Sequence, residues 1–135
     1  MSRRLGEDRS GATAIEFALL APVFLMMLFG IIEVGRLLWV KQALTETAYS
    51  AARCAALASS CRTQADIQGF ATAHGLQRGL RLDAGLVSYT ASTTCDGNAG
   101  AVQVTIGYAF ASPLSGFIAA LPSNVQAHGC FPKLS

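Results

Sequence analysis

Residues 12–32 read ATAIEFALLAPVFLMMLFGII, an apolar run interrupted by one charge, Glu16. At about 1.5 Å per residue, a helix of this length crosses the ~30 Å hydrocarbon core of a bilayer. Before it stands MSRRLGEDRSG, whose Arg3, Arg4 and Arg9 keep this end in the cytoplasm by the positive-inside rule. The remainder of the chain is then exported. A secretory signal peptide is the competing reading, but its apolar region runs about 7 to 15 residues and ends at an A-x-A-like site. This run is longer and continues directly into more helix. Pro22 removes one backbone donor inside the span, so a bend is expected there but no break.

Composition agrees with a membrane chain. Charged residues make up 13% of the 135 positions against 52% hydrophobic, well under the roughly 25% charge of a soluble domain. A net charge of +2 with no Lys/Arg cluster among the aromatics excludes nucleic acid as a partner. Length leaves space for one small domain beyond the membrane segment.

Glu33 and Arg36 mark the interface after the span, with Trp39 at the depth where amphipathic rings settle. Val34, Leu37, Leu38, Leu44, Ala48, Ala51 and Ala55 then recur at spacings of three and four, while Lys41, Glu46 and Arg53 lie mostly off that stripe. One helix of about 45 residues reaching Ala58 is the simplest account, its second half alanine-rich and open to close approach. Ser59-Ser60 interrupts the pattern. Thr63-x-x-Asp66 has the form of a capping box and starts a second helix with Ile67, Phe70, Ala71 and His74 on one face, ended by Gly75.

Beyond Gly85 the period changes to two. Val87, Tyr89 and Ala91 alternate with polar or small residues, as do Val102, Val104, Ile106, Tyr108 and Phe110, and the turn-prone CDGNAG joins them as a hairpin. Pro113 and Pro122 bracket LSGFIAAL, too short for a second span and expected as a helical turn on the sheet or against the membrane. A last strand over residues 124–130 completes an α+β head. The expected organisation is a leader over 1–11, a transmembrane helix over 12–32, its amphipathic continuation over 33–58 and a head over 59–135.

Four cysteines, Cys54, Cys61, Cys95 and Cys130, all follow the span, and on an exported side disulfides are the default. Of three possible pairings, Cys54 with Cys61 and Cys95 with Cys130 is favoured. The first requires the helix to end near Ala58, since residues two turns apart on an intact helix are about 10 Å apart by rise alone. The second follows if the last strand returns to the hairpin. A zinc site with His128 is the alternative, without C-x-x-C or H-x-x-x-H spacing in its favour.

Catalytic patterns do not accompany His74 or His128, the two histidines. His74 lies on the apolar stripe of its helix and is expected as a hydrogen-bonded core residue. Asp66, Asp83 and Asp96 fit capping, loop and turn positions. No enzyme activity, cofactor or metal is expected.

An acid inside an apolar span costs up to about 2.5 to 3.5 kcal/mol at its centre and less near an end, so Glu16 requires a reason. A bland one is that it reaches back to the headgroups. Its surroundings supply another: Gly11, then Ala12, Thr13, Ala14 and Ile15, then Glu16 and the aromatic Phe17. This resembles the processing motif of Tad-system pilins and pseudopilins. GATAIEFALLAPVFLMMLFGIIEVGRLL and AYSAARCAA are similar to the TadE-like family, and AVQVTIGYAF followed by Ser-Pro-Leu is loosely similar to its C-terminal part. The resemblance implies cleavage between Gly11 and Ala12 by a membrane-embedded prepilin peptidase. It also implies a bacterial inner-membrane location, and packing of the N-terminal helix against other pilin and pseudopilin subunits within the Tad assembly machinery.

Major Tad pilins are much shorter and usually carry Tyr after the Glu. This chain carries Phe17 there, a lipid-facing or packing aromatic, and the size of its cysteine-bearing head implies a minor subunit or pseudopilin that acts in pilus assembly or initiation, and so in surface adhesion. The alternative from another class is a permanently anchored bitopic protein whose head binds or scaffolds. A third, a membrane-tethered enzyme, requires a polar cleft joining a histidine to carboxylates.

Overall fold

A computed structural model describes residues 9–133. Arg3, Arg4 and the side chain of Arg9, on which the topology expectation rests, lie outside the described part. The chain divides into two compact units, one up to Gly35 and one from Arg36 onward. The first helix, α1, covers Arg9–Leu57 and carries Pro22 in its interior.

Within the first unit α1 exposes its large apolar side chains, including Phe17 at 74% and Met26 at 71%. The helix is long and apolar enough to cross a membrane. An apolar surface of this extent is one that lipid or a packing partner covers.

In the second unit the remainder of α1 is joined by α2 (Gln64–Gln77) and by three strands, β1 (Val87–Cys95), β2 (Asn98–Ala109) and β3 (Asn124–Phe131). They form one antiparallel sheet in the order β1-β2-β3, the α+β head expected. Val40, Ala43, Leu44, Thr47, Ala48, Ala51 and Ala52 make the buried stripe of α1, sharing a core with Val87, Val102, Val104, Ile106, Val125 and Ala127 of the sheet. Ile67 and Ala71 of α2 complete it together with Leu80. Thr47 tolerates full burial because its hydroxyl donates to Ala43 O at 2.8 Å.

This stripe differs from the expected one. Leu44, Ala48 and Ala51 are buried and Leu37 and Ala55 partly so, but Val34 and Leu38 are exposed. Two residues at about 100° each put Leu38 about 200° around the helix from Val40, on the opposite side. Sequence spacing had included Val34 and Leu38 and left out Val40; packing selected the alanine-lined side. Gly129 explains the selection: a Cβ built there would lie 2.3 Å from Tyr49 N and 2.4 Å from Ala48 C. Strand and helix backbones thus meet at a point where only glycine fits.

Local signals shape the other elements. The hairpin turns at Asp96-Gly97, both at positive φ (49° and 82°), the two-residue turn whose twist matches the flanking strands. Asp66 N donates to Thr63 Oγ1, and Thr63 N donates back to Asp66 Oδ2 at 3.1 Å, so the capping box forms as expected. Gly75, however, does not end α2. It is buried inside it because the Leu82 side chain lies where a Cβ would be, 2.6 Å away. The terminating glycine is Gly79, at φ 75°. There Gly79 N donates to Leu76 O and Leu80 N to Gly75 O, both at 2.9 Å, the paired bonds of a Schellman ending.

The Thr63 hydroxyl, and then its backbone N–H, hold the Asp66 carboxyl below its ordinary value of 3.8. A lowered folded pKa means that the stability this carboxylate contributes is complete above its unfolded pKa and is lost as pH falls through the folded one. Asp66→Ala should therefore unfold at lower urea than the parent at neutral pH, and the gap should close in acid. A gap independent of pH would remove the carboxylate from the explanation.

Candidate functional site

Gly11, Ala12, Glu16 and Phe17 occupy the first turns of α1 as described, all exposed. Among the described residues, nothing lies within 4 Å of a Cβ built at Gly11. Ala12 and Glu16 stand at i and i+4, which places them on one face of the helix about 6 Å apart along the axis. A chain starting at Ala12 would carry its amine one turn from the Glu16 carboxylate. Phe17 projects beside it, without a core to fill. The four residues thus share one exposed stretch of α1.

The cysteines pair as favoured. Cys54 bonds Cys61 with Cα atoms 5.7 Å apart, and Cys95 bonds Cys130 at 6.0 Å. The first pair is possible because α1 stops at Leu57, so the chain can fold back within the seven-residue separation. The second ties the turn end of β1 to the end of β3, across β2. With separations of 7 and 35 residues, the chain-entropy model assigns about 2.5 and about 4 kcal/mol to the two bonds. Replacing Cys95 and Cys130 together by Ala should lower the unfolding free energy more than replacing Cys54 and Cys61. Urea titrations with the reverse order would contradict the entropic account.

Cys95, Asp96 and Cys130 hold ligand-type atoms within 4.8 Å of one another. Both sulfurs are spent in a disulfide, which leaves no thiolate to bind zinc there. His128 stands on the exposed face of β3 opposite Thr105. His74 departs from its expected role. It is half-buried and stacked on Phe70 with centroids 5.8 Å apart, and its Nδ1 is buried without a hydrogen-bond partner among the described residues. The hollow beside it, about 350 Å³, is lined by Ser50, Arg53, Cys54, Leu57, Ala58 and Phe70, with no carboxylate to make an acid–base pair. Asp83 accepts from Gly85 N at 2.9 Å in a loop and Asp96 makes the hairpin turn, both as expected.

Two structural roles were missed in the sequence. Gln64 bonds the open edge of β1 as a neighbouring strand would: its Nε2 donates to Val87 O at 2.6 Å and its Oε1 accepts from Tyr89 N at 3.0 Å. Arg36 places its guanidinium 4.5 Å from the centroid of the Phe110 ring and donates to Ala111 O. Neither has a local signal, because each partner is distant in the chain.

The model of the family of TadE-like proteins matches residues 11–53 of this chain, starting at Gly11. No curated protein and no solved structure matches it.

Proposed function

We propose that this chain, which carries the TadE-like helix over residues 11–53, is a minor pilin-like subunit of a Tad-type pilus. It sits in the bacterial inner membrane with a cytoplasmic leader, one span over 12–32 and an extracytoplasmic head, until a prepilin peptidase cuts after Gly11. The observation that carries this reading is the glycine followed at the fifth and sixth positions by Glu16 and Phe17, at the head of an exposed apolar helix.

Cleavage converts an anchored precursor into a subunit that can be drawn from the bilayer. The basic leader leaves with its charges. The amine at Ala12, in its own chain or a neighbour's, pairs with Glu16, and the pair offsets the cost of removing each charge from water. Bare apolar side chains of α1 then exchange lipid for the helices of other pilins and pseudopilins. The chain performs no chemistry; its head, stapled by two disulfides, is displayed in pilus initiation or support and hence in surface adhesion.

Mass spectrometry of the membrane-extracted protein, from cells with a working prepilin peptidase, should find a new N-terminus at Ala12. An intact leader in such cells would sink the proposal in favour of a permanently anchored protein with a binding or scaffolding head.

A further inference from the structure

The loop between β2 and β3, residues 110–123, contains the LSGFIAAL piece expected as a helical turn on the sheet or against the membrane. Its sequence FASPLSGFIAALPS contains no charge. Phe117 at its tip is 84% exposed, more than any other large apolar side chain described, those of the bare helix included. Leu114 and Ile118, nearby in the loop, are half-buried.

The loop is held at its root. Phe110 N donates to Ser123 O at 2.8 Å, which brings the two ends together. Arg36 grips that root through the Phe110 ring and Ala111 O. Arg36 is the fourth residue after Ile32, where the apolar span ends, and four residues reach at most about 14 Å even when fully extended. The covalent chain alone therefore keeps the loop's root near the end of the span, whatever angle the helix takes there. Trp39, 53% exposed, lies one turn further along α1. At the other end of β2 is the polar Asp96-Gly97 turn, about 36 Å away along a twelve-residue strand. The sheet thus has an apolar loop at one end, gripped by Arg36, and a polar turn at the other.

The loop's backbone also suits an apolar medium. Leu114 N donates to Ser112 Oγ, Phe117 N and Ile118 N to Leu114 O, and Leu121 N to Ile118 O, at 2.8 to 3.2 Å. Peptide groups bonded within the loop lose little when water is removed.

We propose that this loop is a second membrane contact: Phe117, with Leu114 and Ile118 nearby in the loop, dips into the lipid interface on the side where the span emerges. The inference rests on the membrane-anchored reading above. It makes the head a lipid-seated one before assembly, so that extraction into a pilus withdraws the loop as well as the span.

The test uses the full chain, reconstituted into phosphatidylcholine vesicles whose acyl chains are brominated near the headgroups. In a Trp39→Phe background, two single-tryptophan reporters are compared, F117W in the loop and F24W in the span. The expected result is a blue-shifted F117W emission that loses most of its intensity in brominated vesicles, alongside quenching of F24W. Quenched F24W with unquenched, red-shifted F117W would overturn the loop contact and leave the anchor standing. A blue-shifted but unquenched F117W would also overturn it, assigning the loop to a protein neighbour. If neither reporter is quenched, the anchored reading itself fails.

Discussion

Gly11→Val should leave the leader attached in cells whose prepilin peptidase cuts the parent chain, with the whole population at the unprocessed mass. A branched side chain there fills the space at its Cβ position, where no described residue lies within 4 Å, beside the bond proposed to be cut. Glu16→Gln separates the two halves of the proposal. Its bond after Gly11 should still be cut, because the change lies over a turn away from it. Incorporation into fibres should nonetheless fall by about a hundredfold or more, since leaving a charge unpaired in a low-dielectric bundle costs about 3 to 5 kcal/mol. Mass spectrometry reads the first effect and immunoblotting of sheared fibres the second. Normal fibre incorporation of an uncut Gly11→Val chain would show that processing is not how this subunit enters a pilus.

Gly129→Ala should destabilise the head by about 3 kcal/mol or more, the upper end for one added methyl. Its Cβ would meet the backbone of Ala48 and Tyr49 at 2.3 to 2.5 Å, and a helix backbone has no alternative rotamer to adopt. Relief requires α1 to move off β3, opening the contacts of Ala48 with the sheet. Gly107→Ala on β2 is the matched control, since its Cβ would find Leu86 Cβ at an ordinary 3.5 Å. Urea unfolding of the two variants in detergent should give a large loss for the first and little change for the second. Similar losses would mean that strand flexibility, not the helix contact, explains the glycine.

The pattern proposed as the processing site is legible because its signals are local. Gly11, Ala12, Glu16 and Phe17 lie within seven consecutive residues, and helical geometry alone relates Ala12 to Glu16. The same holds for the span, whose length and apolarity are one-dimensional quantities, for the Thr63–Asp66 capping box and for the hairpin around Asp96-Gly97. Disulfide pairing was readable to the extent that it followed from where α1 stops and where β3 returns.

Tertiary structure decided what depends on distant partners. Spacing alone ranked Leu38 with Leu44, whereas the side of α1 that is buried is the one whose alanines let a strand backbone approach at Gly129. Gly75 and Gly79 are alike in sequence as helix terminators. The Leu82 side chain claimed the first for packing, and the positive φ of the second made the turn. His74 was given a hydrogen bond by analogy with core histidines and received a Phe70 ring instead. Arg36, legible only as an interfacial charge, became the clasp on a loop 75 residues away. The apolar span that opened the reading was determined by the sequence itself, because crossing a bilayer requires only length and apolarity. The side of α1 that the sheet covers was not, because it depends on which remote backbone a side chain meets once the sheet has closed on the helix.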